Sequence, residues 1–168
     1  MKKLFALFVC LAFLGVASAK DDDAKKILEF DTMVGVQGPF LGATNPIRGI
    51  GGGGAAWTLK SGRGEIDTAG RLEIHVRGLV LVRTGTNPVN TFRGVVSCQS
   101  IDGTGKPSIV NVSTVDFPAT ATGDSDIEAT VSLPQPCFAP IVFVTLSAGR
   151  WIAVTGAQST TAPESEDR

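Results

Sequence analysis

Tyrosine is missing from this chain of 168 residues, and tryptophan occurs only twice. Proteins that bind sugars stack them on exposed aromatic rings, so a sugar-binding face would have few rings available. Both Trp57 and Trp151 fall where the strand pattern points inward, and we expect them to pack in the core. The composition therefore gives no direct sign of a carbohydrate site.

Histidine occurs once, at His75, so any Ser-His-Asp or Cys-His mechanism would have to use this residue. The strand pattern places it on an outward face beside Glu65 and Glu73, with Arg63 and Arg77 at neighbouring positions. This cluster allows a hydrolase that uses His75 with Glu65 or Glu73. A solvated, charged sheet face explains the same residues, and the chain has no G-x-S-x-G motif. We therefore expect a protein that is not an enzyme.

Charge is also scarce, since Asp, Glu, Lys and Arg make up only 18% of the chain. The two lysines at the N-terminus belong to the signal peptide that is predicted below. Without them, 13 basic residues stand against 16 acidic ones, a formal charge of −3. Nucleic acids and anionic membranes are bound by clusters of Lys and Arg. The composition disfavours both classes of partner.

The chain lacks an apolar run long enough to span a membrane. Its longest run, Leu4–Val16, has about 13 residues, whereas a spanning helix needs roughly 20. This run follows the basic start Met1–Lys3 and precedes the small residues Ala17–Ala19, which is the pattern of a cleaved bacterial-type signal peptide. The sequence predicts a signal peptide over 1–19 and a secreted or periplasmic protein that begins at Lys20, without a stable membrane anchor.

Cysteine occurs three times, and Cys10 lies within the predicted signal peptide. Only Cys98 and Cys137 remain in the exported chain, and two cysteines in an oxidising compartment predict one disulfide. Closing a loop of about 40 residues stabilises a fold by roughly 4 kcal/mol through the lost entropy of the unfolded chain. Neither cysteine has the further Cys or His neighbours that a metal site needs.

Short runs of alternating apolar and polar residues recur along the chain, separated by Gly, Pro, Asn and Asp. They predict an all-β protein: a single antiparallel β-sandwich of eight to nine strands, Ig-like or jelly-roll-like, over 27–158. Charged and polar residues on either side predict an N-terminal tail over 20–26 and a disordered C-terminal tail over 159–168. Leu28–Val36 reads as one strand, and Ile141–Leu146 is apolar on both faces, which predicts a central strand.

Two hairpins can be located. The segment Asp67–Arg71 predicts a three-residue loop in which Gly70 adopts the left-handed conformation. That register places Ile66 opposite Leu72, on one apolar face. The same turn pattern recurs at Leu146–Arg150.

The longest irregular segment is Gly38–Gly54, with 17 residues, which exceeds ordinary connection lengths. Its glycines at 49–54 match G-x-G-x-x-G, but a dinucleotide site needs a helix directly afterwards, and the next residues read as a strand. We expect no cofactor. Long loops on a rigid fold often carry binding residues, and the candidates here are Asn45, Arg48, Gly51 and Gly54.

Three carboxylates, Asp124, Asp126 and Glu128, lie close together after Gly123. Calcium prefers such oxygen ligands, which makes these residues weak candidates for a metal site. They lack the twelve-residue loop pattern of calcium-binding hands. A polar turn before a strand is the preferred interpretation.

These features together predict an exported, disulfide-bonded binding or structural module. Its expected partner is an extracellular protein or a glycan, which the sequence does not identify. Two alternatives stay open: the hydrolase that uses His75, and an extracellular assembly subunit that donates the strand Leu28–Val36 to a neighbour.

Overall fold

The computed structural model describes residues 24–156. The predicted signal peptide and the C-terminal tail over 159–168 lie outside the described residues. The described part contains β-strands and no α-helix, which confirms the all-β prediction. Its eleven strands are β1 (Lys26–Phe30), β2 (Met33–Gly35), β3 (Trp57–Thr58), β4 (Ser61–Asp67), β5 (Arg71–Arg77), β6 (Val80–Leu81), β7 (Thr91–Ile101), β8 (Pro107–Pro118), β9 (Ser125–Thr130), β10 (Phe138–Thr145) and β11 (Trp151–Thr155). The count exceeds the expected eight to nine because β2, β3 and β6 have only two or three residues.

The strands form two large sheets and one small one. The four-stranded sheet has the order β1-β4-β5-β9, the five-stranded sheet has the order β2-β11-β10-β7-β8, and β3 pairs with β6. All pairs of strands are antiparallel. The apolar segment Ile141–Leu146 falls largely in β10, which lies in the middle of its sheet as predicted.

Side chains from both large sheets meet in a common core. A methyl group at Gly94 of β7 would lie 3.0 Å from Cδ1 of Ile74 and 3.2 Å from Cδ2 of Leu72, both on β5. Gly94 therefore lets the two sheets approach closely at this point. The largest fully buried side chains include Met33, Ile66, Leu72, Ile74, Leu79, Phe92, Ile127, Phe143 and Ile152.

The hairpin between β4 and β5 has the predicted register, with Ile66 opposite Leu72. Gly70 has a φ of +81° and donates its N–H to the Asp67 carbonyl at 3.0 Å. The Asp67 carboxylate accepts hydrogen bonds from the N–H groups of Ala69 and Arg71. Short-range turn chemistry alone was enough to place this loop.

The predicted disulfide is present, and it joins Cys98 of β7 to Cys137, which precedes β10. Cys98 is completely buried. The two bridged residues are 39 positions apart. The bridge thus links the entry to β10 with its neighbouring strand β7.

The prediction of one strand over Leu28–Val36 is wrong. The chain changes sheets at Asp31 and Thr32, so that β1 pairs with β4 and β2 pairs with β11. The Thr32 hydroxyl donates to the Gly156 carbonyl, which holds the crossing point against the end of β11. A period-two pattern continues across such a step and does not reveal it.

The predicted charged tail over 20–26 ends earlier than expected, because Lys26 begins β1. Its ammonium group lies 2.7 Å from Oε2 of Glu65 and 3.0 Å from Oε2 of Glu29. Attraction to a glutamate on the neighbouring strand thus stabilises Lys26 in β1, although its charge alone assigned it to a tail.

Candidate functional site

The long loop Gly38–Gly54 is fastened to the five-stranded sheet. It begins with a short 3₁₀ turn over Gly38–Phe40. Trp151 of β11 donates its N–H to the Gly51 carbonyl at 3.1 Å and accepts the N–H of Gly53 at 2.8 Å. Ile47 and Ile50 exchange backbone hydrogen bonds of 3.0 and 2.9 Å. The loop is therefore held by its own backbone and by the backbone of β11.

Arg48 clamps this loop to three further strands. Its guanidinium donates to the carbonyls of Ser97 on β7 and Ala139 on β10, both at 2.7 Å. Asn111 on β8 donates its amide to the Arg48 carbonyl at 3.0 Å. Burial lowers the pKa of the Arg48 guanidinium. The backbone of Arg48 also has a φ of +48°, a conformation that residues other than glycine seldom adopt.

Trp151 is buried and belongs to the hydrophobic core, as predicted, and the strand register shows on which face of its sheet it lies. Gly94 faces the core, and its partner across the strands is Val144. The next residue, Phe143, therefore points to the opposite face, which we call the outer face of the five-stranded sheet. Trp151 packs there, with its ring 6.2 Å from those of Phe143 and Phe40. A β-bulge at the start of β11 places Trp151 on this face.

Trp57 is also buried as predicted and packs edge-to-face on Phe92 at 6.2 Å.

The outer face and the loop enclose an apolar groove of about 460 Å³. This volume lies within the range of small-molecule sites. Phe40 forms an exposed wall of the groove, with 42% of its surface accessible. None of the described lining residues carries a charge. They are Val34, Gly35, Gln37, Gly38, Pro39, Phe40, Ile47, Trp151 and Val154.

The indole nitrogen of Trp151 is buried and has no hydrogen-bond partner among residues 24–156. Buried N–H groups are nearly always paired, because losing their hydration without replacement costs free energy. Trp151 therefore lines the groove and holds an unpaired donor, although the nitrogen itself has no surface exposed to the groove.

The four predicted loop residues lie near this groove without lining it. Arg48 is engaged in the clamp, and Asn45 donates to the Pro39 carbonyl at 2.7 Å. Gly51 accepts the N–H of Trp151, and Gly54 is exposed. The groove is built instead from Phe40 and Ile47 within the loop, together with side chains of β2 and β11. The large apolar residues of the loop, Phe40 and Ile47 among them, were the signal in the sequence that could have indicated this groove. After those glycines comes β3, as expected, and no helix that could hold a dinucleotide.

A second cluster lies on the face of the four-stranded sheet that carries its charged side chains. The register aligns one glutamate from each strand in a single row. A depression of about 260 Å³ beside this row is lined by His75 together with the predicted Glu65 and Glu73. Its other lining residues are Glu29, Phe30, Asp31, Arg63 and Gly64.

His75 is hydrogen-bonded to Asp126 on β9, which the sequence assigned to a different cluster. Its Nδ1 lies 2.7 Å from Oδ1 of Asp126, and the guanidinium of Arg77 reaches the same oxygen at 2.7 Å. The hydrogen bonds from His75 and Arg77 lower the pKa of the Asp126 carboxyl. No serine, threonine or cysteine is among the described residues that line the depression, so a nucleophile there would be a carboxylate, the imidazole or a water molecule.

The three acidic candidates for a metal site are divided between different roles. Asp124 accepts the N–H of Gly78 at 2.8 Å and the Thr122 hydroxyl at 3.0 Å. Asp126 is bound to His75 and Arg77, and Glu128 lies opposite Glu73 on the sheet. Within residues 24–156 no group of three or more His, Cys, Asp or Glu side chains is arranged to hold a metal ion.

Among the described residues, no helix is long and apolar enough to cross a membrane. No known protein family, curated protein or solved structure matches this chain.

Proposed function

We propose that this protein is an exported β-sandwich that acts as a binding module, with the apolar groove as its ligand site. The two large antiparallel sheets, which share one core, support a sandwich. The N-terminal pattern at 1–19 supports export. The disulfide supports an oxidising compartment, where such bonds persist.

The groove itself carries this proposal. A folded protein ordinarily buries apolar surface of this kind, and a concave apolar site with a few polar groups is the usual form of a small-molecule pocket. The clamp at Arg48 supports a preformed site, because it fixes the loop that supplies Phe40 and Ile47. A glycan suits the groove poorly, since its many hydroxyls would meet only the Gln37 amide and the Trp151 indole as polar side chains.

Binding of N-phenyl-1-naphthylamine, an uncharged fluorescent probe, tests the proposal on the full chain isolated from the exported fraction. We expect saturable binding that falls at least tenfold in Phe40→Ala. Phe138→Ala is the matched control, because Phe138 is also an exposed phenylalanine, at 57%, and lies outside the groove. Equal losses in both variants, or none in either, would contradict the groove as the site. N-terminal sequencing of the same material should begin at Lys20.

A hydrolase is the second candidate, favoured by the contact between His75 and Asp126. A carboxylate that binds Nδ1 leaves Nε2 as the nitrogen available for proton transfer. Glu65 and Glu73 line the same depression and could serve as the acid partner. The binding module remains the preferred proposal, because half of the Asp126 side chain is exposed and the depression contains no Ser, Thr or Cys nucleophile beside His75 among its described lining residues.

A further inference from the structure

The lining of the groove restricts the charge of the ligand that it accepts. Its only side chains with polar atoms are Gln37 and Trp151, and neither is ionisable. A carboxylate or an ammonium group placed among Val34, Ile47 and Val154 would lose its hydration without gaining an ion pair. The groove therefore favours uncharged ligands.

The indole N–H of Trp151 restricts the ligand further. This donor is buried and has no hydrogen-bond acceptor among the described residues. A ligand that brings a carbonyl oxygen would pair the donor, whereas a pure hydrocarbon would leave it unpaired. The indole nitrogen itself has no exposed surface, so an acceptor reaches it only when a neighbouring side chain moves. Phe40 packs on Trp151 and is partly exposed at the end of the 3₁₀ turn, and it is the neighbour that we expect to move.

We infer that the groove binds an uncharged, largely apolar small molecule whose single carbonyl oxygen accepts the indole N–H of Trp151. This inference rests on the proposed function and adds the chemical class of the ligand. It assigns two separate roles: the apolar walls exclude charge, and Trp151 recognises the acceptor.

Four ligands of similar length separate these roles: 2-nonanone, nonane, octanoate and octylammonium. The full chain has only two tryptophans, so a ¹H–¹⁵N correlation spectrum contains two indole signals, which Trp57→Phe assigns. We expect 2-nonanone to bind at least tenfold more tightly than the two charged ligands. It should also move the Trp151 indole proton downfield, while nonane leaves that proton near its starting position. The Trp57 indole serves as the internal control.

Trp151→Phe provides a second test, because it keeps an aromatic ring and removes the donor. We expect the affinity for 2-nonanone to fall to that for nonane. Binding of 2-nonanone without a downfield shift of the Trp151 indole proton would overturn the role of Trp151. Tighter binding of octanoate or octylammonium, lost in Phe40→Ala, would overturn the inference and leave the proposed function intact. If none of the four ligands binds and N-phenyl-1-naphthylamine does not bind either, the proposed function itself is wrong.

Discussion

His75 and Asp126 face each other across β5 and β9, with Nδ1 of the imidazole 2.7 Å from Oδ1 of the carboxylate. Arg77 reaches the same oxygen from two residues further along β5. This arrangement turns two residues that the sequence assigned to different clusters into one pair. This pair is the observation that favours a hydrolase, so removing His75 tests the hydrolase against the binding module.

His75→Ala should leave ligand binding in the groove unchanged and should change the free energy of unfolding by less than about 0.5 kcal/mol, as is usual at the surface. Asp126 keeps its ion pair with Arg77 in this variant. Activity against ester, peptide and glycoside panels should be absent in the natural protein and in His75→Ala. A hydrolytic activity that falls at least roughly a hundredfold in His75→Ala, at an unchanged melting temperature, would establish the imidazole as a general base and refute the assignment as a binding module.

Asp124→Asn should reduce stability at neutral pH more than in acid. The Gly78 N–H and the Thr122 hydroxyl lower the pKa of the Asp124 carboxyl in the folded protein. A lowered pKa contributes stability that is complete above the unfolded value of about 3.9 and is lost as the pH falls through the folded value. Urea unfolding at about pH 6 and about pH 2.5 should therefore show a smaller difference between the two proteins in acid. A difference that does not depend on pH would contradict this role.

Replacing Cys98 and Cys137 together by alanine should lower the free energy of unfolding by roughly 4 kcal/mol, because the unfolded chain regains the entropy of an open loop. Alanine is preferred to serine because Cys98 is fully buried and a hydroxyl there would need a partner. Denaturant unfolding of the variant and of the oxidised and reduced natural protein measures the effect. Two titratable thiols in freshly exported protein would show that the bridge does not form.

Gly70→Ala should destabilise the protein more than Gly149→Ala. Both glycines have a positive φ, +81° and +78°, so alanine pays about 1 kcal/mol of backbone strain at either position. An added Cβ at Gly70 would lie 1.9 Å from the Val131 carbonyl oxygen, whereas at Gly149 it would meet nothing within 4 Å. The crowded position should cost at least about 1 kcal/mol more. Equal melting temperatures for the two variants would contradict the packing of the first hairpin against Val131.

Arg48→Ala should release the loop from β7 and β10. Arginine and alanine experience the same positive φ at position 48, so the backbone strain cancels. The free energy of unfolding should therefore fall by about 2 kcal/mol, which is the contribution of the two guanidinium hydrogen bonds. Amide hydrogen exchange at Ile47 and Ile50 should accelerate, and the affinity of the groove should fall. The exposed Arg83 provides the control, since Arg83→Ala removes an equal charge. Unchanged exchange in Arg48→Ala would show that the loop does not need the clamp.

Local rules explain which features of the fold could be predicted. The register of Ile66 with Leu72 follows from turn chemistry within five residues, and the central position of β10 follows from a strand that is apolar on both faces. The disulfide followed because only two cysteines lie outside the predicted signal peptide. The register and the central strand depend on residues that are close in sequence. The disulfide depends on a pairing for which only two cysteines are available.

The candidate sites were predicted less well, because their residues come from separate parts of the chain. Asp126 lies 51 residues from His75, and nothing near either residue indicates the other. Trp151 belongs to the hydrophobic core, as its alternation predicts, but a bulge at the start of β11 places it on the outer face of the sheet, beside the groove. The groove combines that face with a loop about 100 residues earlier in the chain.

The sequence by itself determined the all-β class, the register of Ile66 with Leu72 and the cysteine pair, since side-chain periodicity and turn residues act over a few positions. Only the tertiary structure decided that Leu28–Val36 divides between two sheets, that Arg48 serves as a clamp, and that Phe40 and Trp151 form a groove. The physical reason is that a sheet pairs strands through backbone hydrogen bonds, which are the same for every residue. Which strand lies beside which, and which face a loop covers, therefore depends on packing across the whole chain.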